Sequence, residues 1–329
     1  MKKVVNDVNQ IVDEMIEGIT SVHSNLLKRL PNTTVITRSD VPVKGKVGLV
    51  SGGGSGHEPA HAGYVGKGML DAAVVGEVFT SPTPDQVMEA IKAVDSGAGV
   101  LLIIKNYTGD VMNFEMAKEM AELEGIQVEQ VIVNDDVAVE DSTFTTGRRG
   151  IAGTVFVHKI AGAMAEKGAS LAEVKEVAEK TIANVRSMGV ALTSCTVPAA
   201  GKPSFILEDN EMEIGIGIHG EPGIKRIPLQ KADQIAKTLL DNILGDKHFG
   251  NHVAVMINGL GATPEMELYI ASRKVVQELN EKGINIHRTW VGEYMTSLEM
   301  AGFSITLLDL DDQLTELLDK ECEALSFCN

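Results

Sequence analysis

Three segments of the sequence gather residue types that can bind and turn over a small polar molecule. The first is Ser51-Gly52-Gly53-Gly54-Ser55-Gly56-His57-Glu58-Pro59, directly after the apolar run Lys46–Val50. Glycines let a backbone approach a ligand closely, and a helix start beyond them offers free N–H donors. A bare tight turn is the plainer account. Four glycines around Ser55, with His57 behind them, favour a ligand loop. The segment is neither GxGxxG nor a Walker A loop, since no Gly-Lys-Ser/Thr follows, and no P-loop occurs elsewhere in the chain. His57-Glu58-Pro59-Ala60-His61 also spells the HExxH of zinc peptidases. That chemistry needs a regular helix carrying both histidines on one face. Pro59 inside the pattern would cost about 3 kcal/mol in a helix interior, so a helix start is expected here and no metal.

The second segment, Lys105-Asn106-Tyr107-Thr108-Gly109-Asp110, follows the apolar run Val100–Ile104. A lysine can orient an oxygen and an aspartate can take a proton. The alternative is a polar turn in which Asp110 or Asn113 caps a following helix. The third segment is Gly215-Ile216-Gly217-Ile218-His219-Gly220-Glu221-Pro222-Gly223. Read as a strand, it puts Gly215, Gly217 and His219 on one face. His219 then ends a surface cleared by two glycines, as a nucleophile or acid/base would. A surface histidine in a turn is the bland reading. Arg148-Arg149 could receive phosphate or a carboxylate, or lie in a salt-bridged loop, and Cys195 reads as structural.

These segments need elements to hold them. Helical periodicity covers 5–30. Apolar runs at Lys46–Val50, Ala72–Val75, Val100–Ile104 and Val128–Val133 then alternate with helix candidates near 57–64, 84–96 and 113–124. Thr83-Pro84-Asp85-Gln86 carries an N-cap, a proline at the first helical position and a capping-box glutamine. Unbroken apolar strands alternating with helices imply a largely parallel sheet. Helices near 154–166 and 171–187 follow, then a hairpin over 204–218 turning at Asp209-Asn210. Helices near 229–243, 264–281 and 312–325 alternate with apolar runs at 253–257, 284–290 and 303–308. The fold class is thus α/β in two domains. Residues 1–188 hold the glycine-rich loop on a largely parallel sheet, and residues 189–329 hold His219 on a mixed sheet with a hairpin.

Composition narrows the function. With 329 residues, about two domains are expected. Twenty-nine basic against 46 acidic residues leave a net charge of −17, which repels nucleic acid and anionic membranes as general partners. Thirteen aromatics (8 Phe, 4 Tyr, 1 Trp) are too few for single-strand stacking platforms. Cys195, Cys322 and Cys328 lack CxxC spacing, which fits a reducing compartment. Asp7, Asp13 and Glu14 break up the N-terminal segment, so it does not read as a signal peptide. No run of about 18 apolar residues is available to span a membrane. A cytoplasmic protein is expected.

Taken together, GGGSGHEPAHAGYVGKGML, LLIIKNYTGDVMNFEMA and EMEIGIGIHGEPGI closely resemble the dihydroxyacetone kinase family, in its substrate-binding K subunit. GEVFTSPTPDQ, NDDVAVEDS, TGRRGIAGTVFVHKIAGA, CTVPAAGKPSF, NGLGATP and GFSITLLDLDD extend the resemblance almost end to end. The resemblance implies that His219 bonds covalently to the carbonyl carbon of dihydroxyacetone as a hemiaminal. It further implies that Gly54, Ser55, Gly56 and Lys105 hold the substrate, with His57 as proton acceptor and Asp110 as its close partner. The chain ends at Asn329 without a nucleotide domain, which resembles the split bacterial form. There Mg-ADP/ATP sits on a separate L subunit, recharged from phosphoenolpyruvate through an M subunit and phosphotransferase-system proteins. A homodimer that docks the L subunit is implied. A non-catalytic paralogue that binds dihydroxyacetone and regulates transcription through a partner is the rival reading.

Overall fold

The computed structural model describes residues 2–140 and 145–327. Cys328 and the end of the NDDVAVEDS motif lie outside the described residues. In the first half, strands β1 (Leu27–Arg29), β2 (Val35–Arg38), β3 (Gly48–Ser55), β4 (Gly66–Lys67), β5 (Ala72–Val78), β6 (Val100–Lys105) and β7 (Val128–Val133) accompany helices α1 (Ile11–Val22), α2 (Pro84–Val94) and α3 (Thr108–Leu123). Helices α4 (Thr154–Glu166) and α5 (Leu171–Asn184) lead to β8 (Val185–Ala191). Then follow β9 (Glu211–Ile214), β10 (Lys225–Pro228), α6 (Ala232–Asp246), β11 (His252–Gly259), α7 (Glu265–Glu281), β12 (Asn285–Gly292), β13 (Gly302–Asp309), α8 (Asp312–Leu318) and β14 (Glu323–Ala324).

The first sheet has the order β1-β2-β5-β3-β6-β7. Its β5-β3-β6-β7 portion is parallel, with β2 and β1 added antiparallel at one edge. The second sheet, β10-β9-β8-β13-β11-β12, is mixed, with only β11 and β12 parallel. Every residue of β3 and β6 is buried, as expected of central strands covered on both faces. Helices α2 and α3 cover one face of the first sheet through Val87, Ile91 and Phe114 against Val50 and Leu102. Helices α4 and α5 fill the other face, and the same apolar cluster continues from Ile103 and Ile160 into Ala254 and Leu308 of the second sheet. Helices α6 and α7 close the far side of that sheet through Leu239, Ile243, Leu268 and Val275. The two sheets therefore share a helical layer, and the short pairing of β14 with β4 ties the end of the chain to the first half.

Several elements depart from the sequence expectations. The segment expected as a helix over 57–64 is a run of turns ending in a single 3-10 turn, Ala62–Tyr64. Helix α3 begins at Thr108 rather than 113, which puts Asp110 in its first turn. Helix α5 stops at Asn184, because the β-branched and apolar run Val185–Ala191 is drawn into the second sheet between β9 and β13. The hairpin is displaced: its arms are β9 and β10, and the whole histidine segment 215–224 is the connection between them. Thr83 makes no side-chain cap; the Gln86 side chain instead accepts from Thr34 N–H at 2.8 Å.

Candidate active site

Parallel strands β3 and β6 are neighbours, so Ser55 and Lys105 end on one edge of the sheet, where open α/β sheets bind ligands. Glycine is required at this edge by close approach. A Cβ on Gly54 would lie 2.5 Å from Thr80 N, and one on Gly52 would fall on the Val74 carbonyl oxygen. Gly56 has φ +100°, in the left-handed region that favours glycine. The Ser55 hydroxyl donates to the Gly76 carbonyl at 2.7 Å, so this side chain ties β3 to β5.

His57 is fully buried. Its Nδ1 donates to the Thr296 carbonyl at 2.8 Å, which leaves Nε2 with a lone pair and no partner. The ring stacks on Phe79 with centroids 5.0 Å apart and meets His219 edge-on at 4.7 Å. Burial, with the nearby charges of His219 and Lys105, holds its pKa well below the ordinary histidine value. It is a neutral base in a dry setting. Backbone hydrogen bonds from Leu298 N–H to Gly56 O and from Thr296 N–H to His57 O hold the turn against the second half of the chain.

His219 lies on the connection after β9, not on a strand. Its Nδ1 is 2.8 Å from Glu221 Oε1, while its own backbone N–H donates to Oε2 at 2.9 Å. Nδ1–H therefore points at a carboxylate, and the lone pair is on Nε2. Burial by itself would raise the Glu221 carboxyl, but His219 and Arg149 hold it down to about 2. The glycine-cleared face has a different purpose from the one its alternation suggested. A Cβ on Gly217 would fall on the Glu221 carboxylate and 2.7 Å from Arg149, so the glycine makes room for that carboxylate and not for a ligand. Arg149, fully buried, is paired with Asp136 at 2.7 Å and donates to Gly215 O at 2.7 Å. Arg148 forks onto Asp246, which also takes Arg186 at 2.7 Å. Both cations of the Arg-Arg pair thus meet carboxylates of this chain.

Lys105 Nζ, Tyr107 Oη and Asp110 Oδ1 are buried without hydrogen-bond partners. Burial lowers the lysine's pKa, opposed by Asp110 and Glu221, and raises that of Tyr107. Such orphans are rare in folded proteins unless a ligand completes them. Gly54, Phe79, Tyr107, Asp110, His219 and Glu221 line one cavity of about 700 Å³. Sequence reading singled out His57, Lys105, Asp110 and His219, and the fold brings all four together. It passed over Glu221 and Tyr107, which lie within the motifs it quoted, and Phe79, for which a lone aromatic gives no signal. Cys195 is buried, its Sγ 3.6 Å from Ser204 Oγ.

This loop, pocket and pair of sheets recur in known proteins. The Dak1 domain family matches residues 17–326, and the chain belongs to that family. It is 58% identical over 315 residues to the PTS-dependent dihydroxyacetone kinase 1, dihydroxyacetone-binding subunit DhaK, of Listeria innocua, covering 95% of each chain. The solved dihydroxyacetone kinase from C. freundii in complex with AMP-PNP and Mg2+ matches with a TM-score of 0.93 and 40% identity, over 99% of this chain and 61% of that one. The dihydroxyacetone kinase operon co-activator Dha-DhaQ matches with a TM-score of 0.90 and 36% identity, over 98% and 99% of the chains. Relatives named as dihydroxyacetone kinases and triokinases are phosphotransferases, and the chain falls in that enzyme class.

Proposed function

We propose that this chain is the dihydroxyacetone-binding catalytic subunit of a phosphotransferase-dependent kinase, and that His219 holds the substrate covalently. The observation that carries the reading is the His219–Glu221 pair at 2.8 Å on the cavity wall. With Nδ1–H facing the carboxylate, the Nε2 lone pair adds to the ketone carbon. The carbonyl π pair moves to its oxygen, which takes up a proton from solvent, and the positive charge left on the ring faces Glu221. Glycerol has no carbonyl to test, so the covalent step discriminates where hydrogen bonds to a short triose would not. The adduct fixes a terminal hydroxyl for in-line transfer, which is chiefly a matter of positioning.

His57 Nε2 takes the hydroxyl proton in this scheme, supported by its free lone pair and lowered pKa, with Asp110 as its close partner. Lys105 and the backbone of Gly54, Ser55 and Gly56 hold the substrate. ATP on a separate L subunit supplies the phosphoryl group, and an M subunit with phosphotransferase-system proteins recharges it. A homodimer docking the L subunit in the cytoplasm belongs to the same reading. No helix among the described residues is long and apolar enough to cross a membrane. We also read the chain as two halves, 1–188 and 189–329. The two sheets support this division, with β8 straddling the line.

The rival reading, a non-catalytic regulator, draws support from the end-to-end likeness to the operon co-activator. The covalent claim is tested by intact mass after incubation with dihydroxyacetone. A mass gain of one triose, lost in His219→Ala, is expected; no gain, or a gain that survives His219→Ala, would refute it.

A further inference from the structure

Beside Lys105 and Asp110 lies a histidine pair that the scheme above does not use. His61, at the end of the turn after His57, and His158, on α4, are both buried, with His61 Nδ1 3.0 Å from His158 Nε2. The other two ring nitrogens, His61 Nε2 and His158 Nδ1, have no partner. Either tautomer leaves one buried N–H without a protein acceptor, on His158 Nδ1 if His61 donates or on His61 Nε2 if His158 donates. Only His61 Nε2 stands beside Lys105 and Asp110, where a ligand oxygen can accept that proton, and an orphan N–H is costly unless something accepts it. The arrangement a ligand completes is therefore the one in which His158 Nε2–H donates, His61 Nδ1 accepts, and the His61 proton sits on Nε2. Burial and the nearby Lys105 charge keep both rings neutral.

That Nε2–H is aimed where Gly53 lacks a side chain. The point a Gly53 Cβ would occupy is 2.7 Å from Lys105 Nζ, 3.6 Å from His61 Nε2 and 3.8 Å from Asp110 Oδ2. Lys105 Nζ, His61 Nε2 and one oxygen of the Asp110 carboxylate converge there; Lys105 Nζ and His61 Nε2 lack a partner, as does the carboxylate's other oxygen, Oδ1. A hydroxyl has two lone pairs and one proton, and so satisfies all three groups at once. A carbonyl oxygen would leave the aspartate facing a lone pair.

We propose that His61 is a substrate-binding residue, donating with Lys105 to one terminal hydroxyl of the ketone while that hydroxyl donates to Asp110, and that His158 is the positioning residue that fixes the His61 tautomer. The proposal rests on the dihydroxyacetone reading above and extends it to a specific hydroxyl.

The side-chain amide of glutamine can mimic Nε2–H of histidine, and that of asparagine can mimic the Nδ1 position. His61→Gln and His61→Asn thus separate a donor to the substrate from a contact with His158. Dihydroxyacetone carrying 13C at C2 is titrated into the folded proteins and the adduct signal followed. H61Q is expected to weaken adduct formation by no more than about threefold, and H61N by about tenfold, the loss of one buried hydrogen bond. Equal variants, or H61N the better one, would overturn the proposal. On the unsubstituted protein, 15N-histidine spectra supply a second check that needs no variant. They should show His61 as the Nε2–H tautomer, with that proton shifting on ligand addition; the opposite tautomer, or no shift, would also overturn it. Absence of any adduct in the unsubstituted protein would remove the functional reading, and the proposal with it, whereas a normal adduct with indifferent H61N removes the proposal alone.

Discussion

His219 Nδ1 and the Glu221 carboxylate stand 2.8 Å apart, two residues from each other in a glycine-bounded loop. The carboxylate orients the ring and faces whatever charge the ring acquires. Glu221→Gln keeps the shape and removes the charge. We expect it to weaken the dihydroxyacetone adduct by about 10- to 100-fold, as for the loss of a hydrogen bond to a charged group. Titration of the 13C-labelled adduct measures this directly, and unchanged affinity would remove Glu221 from the scheme.

Lys105 gives a prediction in which stability and function move apart. Its ammonium is buried without a hydrogen-bond partner, an arrangement that costs stability until a ligand fills it. Lys105→Met should leave the thermal midpoint unchanged or raised while weakening substrate by about 10- to 100-fold, as for a lost charged hydrogen bond. A lower midpoint together with intact binding would contradict the account.

His57→Asn separates binding from chemistry. The asparagine amide can keep the donor bond to Thr296 O while the Nε2 lone pair disappears. Turnover should fall by about 10²- to 10⁴-fold, as for loss of a general base, with the adduct still forming. If kcat is retained, the proton goes elsewhere.

Acid should destabilise the fold in a defined window. His57, His61 and His158 are held neutral by burial, the last with a pKa of about 3 against 6.5 when unfolded. Below pH 6.5 the unfolded chain gains protons that the folded chain refuses. Stability then falls by about 1.4 kcal/mol per pH unit for each ring, until the folded value is reached. Glu221, about 2 when folded against 4.5 unfolded, adds loss of the same sign below pH 4.5. Asp136, raised by burial to about 6 against 3.8, has the opposite sign and offsets about one ring below pH 6. Denaturant unfolding from pH 7.5 to 5 should show a net loss, shallower by one ring in His158→Leu. A flat profile would contradict the burial.

Much of this was legible in the residues. Unbroken apolar runs marked β3 and β6, and glycines at 52–56 marked the edge where the candidate site lies, because close backbone approach leaves a compositional trace. The failures have physical causes. Val185–Ala191 continues a helical pattern, and only its place between two strands makes it β8. Alternation in 211–219 suggested one long strand, yet Gly215, at φ +78°, ends it and frees His219 to meet Glu221. His61 and His158 are 97 residues apart, and nothing in sequence spacing says that they touch.

The central claim is catalysis on a covalently held ketone. Its most direct measurement combines this protein with its L subunit, the phosphotransferase proteins, phosphoenolpyruvate and dihydroxyacetone, and assays dihydroxyacetone phosphate. The account predicts steady product that vanishes in His219→Ala. Adduct formation without product, whichever L subunit is supplied, would contradict it and leave the regulator.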